Sequence, residues 1–434
     1  MRALLLFVTL TAAAQEPLTD RERTLLGRLE KLEQRVAALE TQMAARAPAV
    51  RVAEAEPGAP AESVPVAPGT TINLYLDGYY AYNFNRPAGG VNSLRAYDVT
   101  SNSFNLNQAG LIIERAPEAK LGRRFGARLD LMFGQATETL QGSPVNEPRP
   151  QVFRHVFQAY GTYVAPIGRG LTLDFGKWAS ALGIENNYSK DQLNYSRSYF
   201  FNFLPFYHTG IRATYPLARR LTLSYWLANG LNQSEDFNGF KSQAILINGT
   251  PGRNLSWNLN YYCGREQRAW RASVDPGVPA QAGLSVQPVA GGTPRGRVHI
   301  LDGYFTWRLN DRWTAAGEGD YVVSRVGANS SPQWVTGGAA YARYRFGPRF
   351  SLATRLAYLK DTRGLFSGLT QTLKDATLTA NYDVAPGFQM RWEYRRDWSD
   401  VPFFLSSRLD HRKRDQNTAL IGVIWWLGGK QGIW

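Results

Sequence analysis

The sequence predicts an all-β fold: a transmembrane, antiparallel, up-and-down β-barrel of about 16 strands with an N-terminal coiled-coil helix. Three observations carry this expectation. From residue 71 onward, apolar and polar side chains alternate with a period of two, segment after segment. The connections between these segments alternate long and short. Beyond the N-terminus there is no apolar run of about 18 residues, the length that a membrane helix needs.

Composition narrows the alternatives. The 434 residues carry 49 Lys and Arg against 35 Asp and Glu, a net charge of +14. One Cys and four His leave no material for a disulfide framework or a Cys/His metal site, and no cofactor is expected. Charged residues make up 19%, below the roughly 25% of soluble domains, whereas Tyr (22), Phe (21) and Trp (12) are abundant.

The first element is an export signal over residues 1–14. Arg2 supplies the positive end, Ala3 to Leu10 the apolar stretch, and Ala12-Ala13-Ala14 the small residues before a cleavage point at Gln15. The second is a helix over 20–46. Leu25, Leu29, Leu32, Val36, Leu39 and Met43 are spaced alternately by four and three, the apolar seam of a heptad repeat. Arg28 and Arg35 then occupy g positions, and Glu33 and Glu40 occupy e positions, so Arg28 can meet Glu33 and Arg35 can meet Glu40 on a neighbouring parallel chain. The repeated segments RLEKLE and RVAALE match a pattern associated with three-stranded coils, which predicts a homotrimer. The competing reading is a single amphipathic helix lying on the body of the protein. Residues 47–70, rich in Ala and Pro, read as a semi-extended linker.

The barrel region follows over 71–434. In the first strand Ile72, Leu74, Leu76, Tyr80, Tyr82 and Phe84 share one face, and Asn73, Asp77 and Asn83 the other. Similar segments lie near 104–115, 122–134, 153–165, 170–178, 208–217, 220–229 and 239–248. They continue near 253–263, 298–309, 312–323, 334–346, 349–360, 370–382, 387–397 and 416–427. Short joins such as 166–169, 218–219, 310–311 and 347–348 read as turns, and stretches such as 85–103, 135–152, 179–207, 264–297 and 398–415 as loops. Membrane barrels put turns on the periplasmic side and loops outside, and an even strand count returns both chain ends to the turn side. Tyr75, Tyr163, Trp178, Tyr215, Trp313 and Tyr382 are candidates for interfacial aromatic girdles. Cys263 falls on the apolar face.

The polar face then encloses water. Its expected inward positions hold Arg128, Asp130, Arg212, Lys241, Arg308, Glu318, Asp320, Arg343, Arg345, Arg355, Arg391, Glu393 and Arg395. Arginine outnumbers acid, which predicts a modest preference for anions. For any one of these residues the alternative role is a salt-bridge network that stiffens the wall. The third long loop, 179–207, carries Glu185, Lys190, Asp191 and Arg197. It is expected to fold inward as a constriction with Glu185 and Asp191 facing a basic wall; packing on the rim or at a subunit contact is the alternative.

One stretch is distinctive. Residues 175–212 run from a strand ending in Gly176-Lys177, through Leu182-Gly183 and Glu185, to Tyr195-Ser196-Arg197-Ser198. An aromatic run containing Pro205 follows, and then His208-Thr209-Gly210. This pattern, with 104–115, resembles the OmpL-like β-barrel porin family of Gram-negative bacteria; the N-terminal helix lies outside the likeness. The resemblance implies an outer-membrane porin with poorly defined substrates and no catalytic site.

The sequence thus predicts passive diffusion of small hydrophilic solutes across a bacterial outer membrane, with the helix in the periplasm. A rival reading is an envelope tether whose coiled coil binds peptidoglycan or another periplasmic partner. A hydrolase needs His, Ser and a carboxylate in mutual reach, and His155, His208, His299 and His411 show no such spacing. The dispersed arginines form no block suited to nucleic acid.

Overall fold

The computed structural model describes residues 31, 34, 35, 69–141, 147, 150–268, 270–274, 284–288 and 295–428. The chain divides into two units, 1–65 and 66–434. The expected signal peptide, the linker up to residue 68 and Trp434 lie outside the described residues. So does the expected coiled coil apart from Lys31, Gln34 and Arg35, which are helical.

The second unit is built from sixteen barrel strands. They are β1 (Thr70–Asn83), β2 (Ser103–Arg115), β3 (Phe125–Phe133), β4 (Val156–Ala165), β5 (Leu171–Ala179) and β6 (Tyr207–Ala218). Next come β7 (Leu221–Ala228), β8 (Ser242–Gly249), β9 (Leu255–Gly264), β10 (Val298–Arg308) and β11 (Trp313–Ser324). The last five are β12 (Gln333–Arg345), β13 (Phe350–Thr362), β14 (Gln371–Ala385), β15 (Phe388–Ser399) and β16 (Asp415–Gly428). Each pairs antiparallel with its chain neighbours, and β16 returns to β1 through pairs such as Tyr79↔Gly422 and Ala81↔Leu420. Closure leaves no edge strand, which matters where lipid offers no partner for an unpaired amide.

The period-two pattern becomes two environments. On β1, Ile72, Leu74 and Leu76 are exposed outward, while Asn73, Asp77 and Asn83 are buried inward. Phe125, Phe175 and Leu378 stand outward in the same way. The turns 116–124, 166–170, 219–220, 250–254, 309–312, 346–349 and 386–387 gather at one end and the longer connections at the other. Loops 325–332 and 363–370 are shorter than the turn 116–124, so strand direction rather than length sorts the two ends. In the two-residue turn Pro386-Gly387, proline fixes one φ and Gly387 adopts φ +81°, a left-handed angle that glycine accepts without strain.

Two expectations need correcting. Tyr75 and Trp178 are not girdle residues. Both are buried: Tyr75 shares the inward face of Asn73 and Asp77, and Trp178 packs edge-on against Trp226 at 6.0 Å. Lys241 does not face the lumen from a strand. It precedes β8 and pairs with Asp236 within its own loop. Within the long 265–297 connection, Trp270–Val274 and Leu284–Pro288 pair as a small hairpin.

The packed core lies inside the barrel, where the loops 84–102 and 180–206 meet the wall. One cluster joins Tyr97, Tyr188 and Tyr195 to the wall residues Tyr75, Tyr79, Ile112, Met132 and Phe157. Another joins Leu182, Tyr199, Phe200 and Leu204 to Trp178, Trp226 and Tyr262.

Candidate functional site: the loop across the lumen

The connection 180–206 leaves β5 and crosses the inside of the barrel. At one wall, Asp77 of β1 accepts the hydroxyls of Tyr195 (2.6 Å) and Ser189 (2.6 Å), and the Tyr75 hydroxyl accepts the Ser189 N–H (2.8 Å). At the far side, the Gly183 N–H donates to Asp302 of β10 (3.1 Å) and the Ile184 N–H to Glu318 of β11 (3.0 Å). In a ring of sixteen strands, β1 and β10 stand almost opposite each other. The loop is a strap from wall to wall.

The strap's midsection is held by backbone contacts. Glu393 of β15 accepts the N–H groups of Tyr195 (2.6 Å) and Ser196 (3.0 Å) as well as the Thr379 hydroxyl (2.7 Å). Three buried arginines donate to strap carbonyls: Arg355 to Ser196 (2.6 Å), Arg391 to Asn194 (3.0 Å) and Gln192 (2.8 Å), and Arg395 to Arg197 (2.6 Å). Irregular backbone inside a barrel leaves N–H and C=O groups without ladder partners, and these charged side chains satisfy them. Gly422 on β16 lets the strap lie close, because a Cβ there would stand 2.5 Å from the Tyr195 ring.

The predicted residues divide by role. Glu185 pairs with Arg355 at 3.2 Å and accepts the Ser198 N–H at 2.7 Å, so it does face a basic wall. Arg355 also binds Asp375 (3.0 Å), and Arg395 binds Asp397 (2.7 Å). Arg128 pairs with Asp130 at 2.9 Å, and Tyr188 of the strap donates its hydroxyl to the same carboxylate. Arg212 is held by Asp174 at 2.8 Å, over the Trp178 ring. Arg197 turns into the strap itself, donating to the carbonyls of Tyr195 (2.6 Å) and Asn186 (3.1 Å) and stacking on Tyr97. Burial pushes the phenols of Tyr188, Tyr195 and Tyr199 up, away from ionisation, which keeps them neutral donors to Asp130, Asp77 and Asp397.

The water-facing remainder sits toward the turns. A cleft between strap residues 190–193 and the turn ends of β12 to β15 is lined by Arg343, Arg345, Arg349 and Arg391, with Asp191 and Asp383 among them. Lys190 and Asp191 pair with each other at 2.6 Å. Arg343 is half-buried against Thr314 (3.2 Å), and Arg345 is exposed. On the other side of the strap a narrow cavity is lined by Glu185, Asn186 and Glu318 together with Phe157, Phe201 and Phe206.

The model of one family, described as "Putative beta-barrel porin-2, OmpL-like", matches residues 69–426. The chain belongs to this family. As a member of that porin family it is an outer-membrane β-barrel. No curated protein matches it. Solved structures with the same fold include the outer-membrane channel DcaP of Acinetobacter baumannii, 11% identical, with a TM-score of 0.53 over 83% of this chain and 99% of that one. OprB of Pseudomonas putida, 12% identical, gives 0.51 over 83% and 94%. The outer-membrane protein OmpT of Vibrio cholerae, 10% identical, gives 0.51 over 83% and 99%.

Several strap partners were not singled out from the sequence. Asp77 and Asp397 read only as polar positions on a strand, and nothing in their spacing points to residues more than a hundred positions away. Arg95 reaches the strap only at second hand: buried in the loop 84–102, it pairs with Asp98 and with Asp397, the carboxylate that accepts the Tyr199 hydroxyl. Its only signal was charge in a loop otherwise rich in Asn and Ser.

Proposed function

We propose that this porin passes small hydrophilic solutes by passive diffusion, with a modest preference for anions, and that the loop 180–206 sets its width. The supporting observation is the strap itself, tied to β1 at one wall and to β10 and β11 at the other. A solute crossing the barrel has to pass beside it. Glu185, Arg128, Asp130, Arg197, Arg212, Arg355, Arg391 and Arg395 then act mainly by fixing the strap and its wall, since each is engaged in ion pairs or backbone hydrogen bonds. Arg343 and Arg345 meet the solute in the cleft below, and the buried Lys190–Asp191 pair backs the strap side of it. There Arg343, Arg345, Arg349, Arg391 and Lys190 outweigh Asp191 and Asp383, so the field favours anions.

Residues 1–14 act as export signal, 20–46 as a periplasmic coiled coil, 47–70 as linker and 71–434 as the barrel. The coiled coil assembles three copies through Leu25, Leu29, Leu32, Val36, Leu39 and Met43, with Arg28–Glu33 and Arg35–Glu40 pairs between chains. Reversal potentials across a planar bilayer under a salt gradient test the selectivity. A potential showing anions as the more permeant species supports the reading, and one showing cations as the more permeant overturns it.

A further inference from the structure

Lys360 on β13, Lys374 on β14 and Arg396 on β15 occupy outward positions near the loop end of the barrel, and all three are exposed. The outward rows of β6, β7 and β8 carry no charged side chain at all. The three cations form a diagonal: Lys360 faces Thr372 on β14, Lys374 faces Trp398 on β15, and Arg396 faces Asn417 on β16. Neither lysine has a carboxylate partner among the described residues; Lys374 lies 6.0 Å from the centre of the Tyr358 ring. One nitrogen of Arg396 reaches Asp415 at 3.3 Å, and its guanidinium lies 5.9 Å from the Trp398 ring.

Toward the membrane centre, from two residues beyond Arg396 on β15, four beyond Lys374 on β14 and eight beyond Lys360 on β13, the wall is concave. A groove floored by Ala380 and Ala419 and walled by Tyr80, Tyr82, Trp392 and Tyr394 opens outward. The paired row Leu352–Ala380–Trp392–Ile421–Tyr80 crosses from β13 to β1. That is four inter-strand spacings, or about 19 Å. Cations on a lipid-facing wall are tolerated close to the interface, where their cost falls to about 0–1 kcal/mol. Basic clusters at that depth recognise lipid head groups, and phosphate oxygens are the acceptors best matched to them.

We propose that this face is a binding site for the phosphorylated, multiply acylated glycolipid of the outer leaflet, lipopolysaccharide. Its head-group phosphates lie on Lys360, Lys374 and Arg396, and its acyl chains fill the Tyr80–Trp392–Ala419 groove. The loop end places the cations in the outer leaflet, and a groove spanning five strands suits a lipid with more than two chains.

The test uses the full-length protein, stripped of lipid in detergent, beside two variants: K360Q/K374Q/R396Q, and A380W/A419W, which fills the groove while keeping the charges. Heat-modifiable migration confirms that each barrel is folded. Each is mixed with bisphosphorylated lipid A, dephosphorylated lipid A or phosphatidylglycerol, and retained lipid is counted by native mass spectrometry. The wild type should retain bisphosphorylated lipid A at least about tenfold more than either variant does, and more than it retains the dephosphorylated form. Equal retention by the wild type and the charge variant would overturn the proposal. So would phosphatidylglycerol retained as well as lipid A, or a lipid-free oligomer that shields Lys360 and Lys374 from an amine-reactive reagent and excludes lipid A, which would make a second copy of the chain the occupant.

Discussion

Glu393→Ala probes how the strap is held. The carboxylate accepts two strap N–H groups, from Tyr195 at 2.6 Å and Ser196 at 3.0 Å, and all three residues are buried. Removing it leaves both donors without an acceptor, at a cost of about 1–3 kcal/mol each, or roughly 2–6 kcal/mol in all. At about 1.4 kcal/mol per factor of ten, even the low end favours local detachment of residues 194–196 by roughly 30-fold. Arg355, Arg391 and Arg395 still hold neighbouring carbonyls, so the strap loosens at its middle without leaving the lumen. Hydrogen exchange followed by mass spectrometry reads this directly: amides in a peptide spanning 190–200 should exchange faster by about tenfold or more. Single-channel steps should become noisier and larger. Glu393→Gln, which keeps one oxygen acceptor, should fall between the two. Unchanged exchange in a folded Glu393→Ala barrel would refute the assignment of Glu393 as the clamp.

Gly422→Ala puts a methyl 2.5 Å from the Tyr195 ring, and it should destabilise the folded barrel by about 1–3 kcal/mol and alter conductance; urea unfolding and bilayer recording check this. Replacing Arg343 and Arg345 by Glu reverses two charges in the turn-end cleft. It should shift the reversal potential toward cations, without changing hydrogen exchange in the strap. Deleting 20–46 should convert a cross-linked trimer into smaller species in detergent, while the barrel's heat-modifiable migration persists.

The strands were legible because lipid and water enforce opposite chemistry on alternate residues; Ile72 and Asn73 could not exchange faces without burying an amide in hydrocarbon. Chain direction sorted turns from loops even where, as at 325–332, length did not. Tyr75 lies near a strand end, where an aromatic fits an interfacial girdle equally well, yet it is buried inside the barrel. Its parity with Asn73 and Asp77 was the better guide. Within the site, the strap's own residues were visible as an unusual segment, but their partners were not. Asp77 and Glu393 lie 118 and 198 positions from Tyr195, and only barrel closure brings β1 and β15 to the same loop. Arg197 carried a charge suited to the lumen, yet the local carbonyls of Asn186, Asn187 and Tyr195 captured it. A loop's internal hydrogen bonding leaves no periodic trace in sequence.

The most direct test of the strap as the narrowing element compares single-channel conductance of the full-length protein with that of a variant whose residues 187–197 are replaced by a short Gly-Ser link, both verified as folded barrels. A strap that narrows the lumen gives stepwise current in each, and larger steps once the link replaces it. Identical steps from the two, or no current from either, would contradict that role.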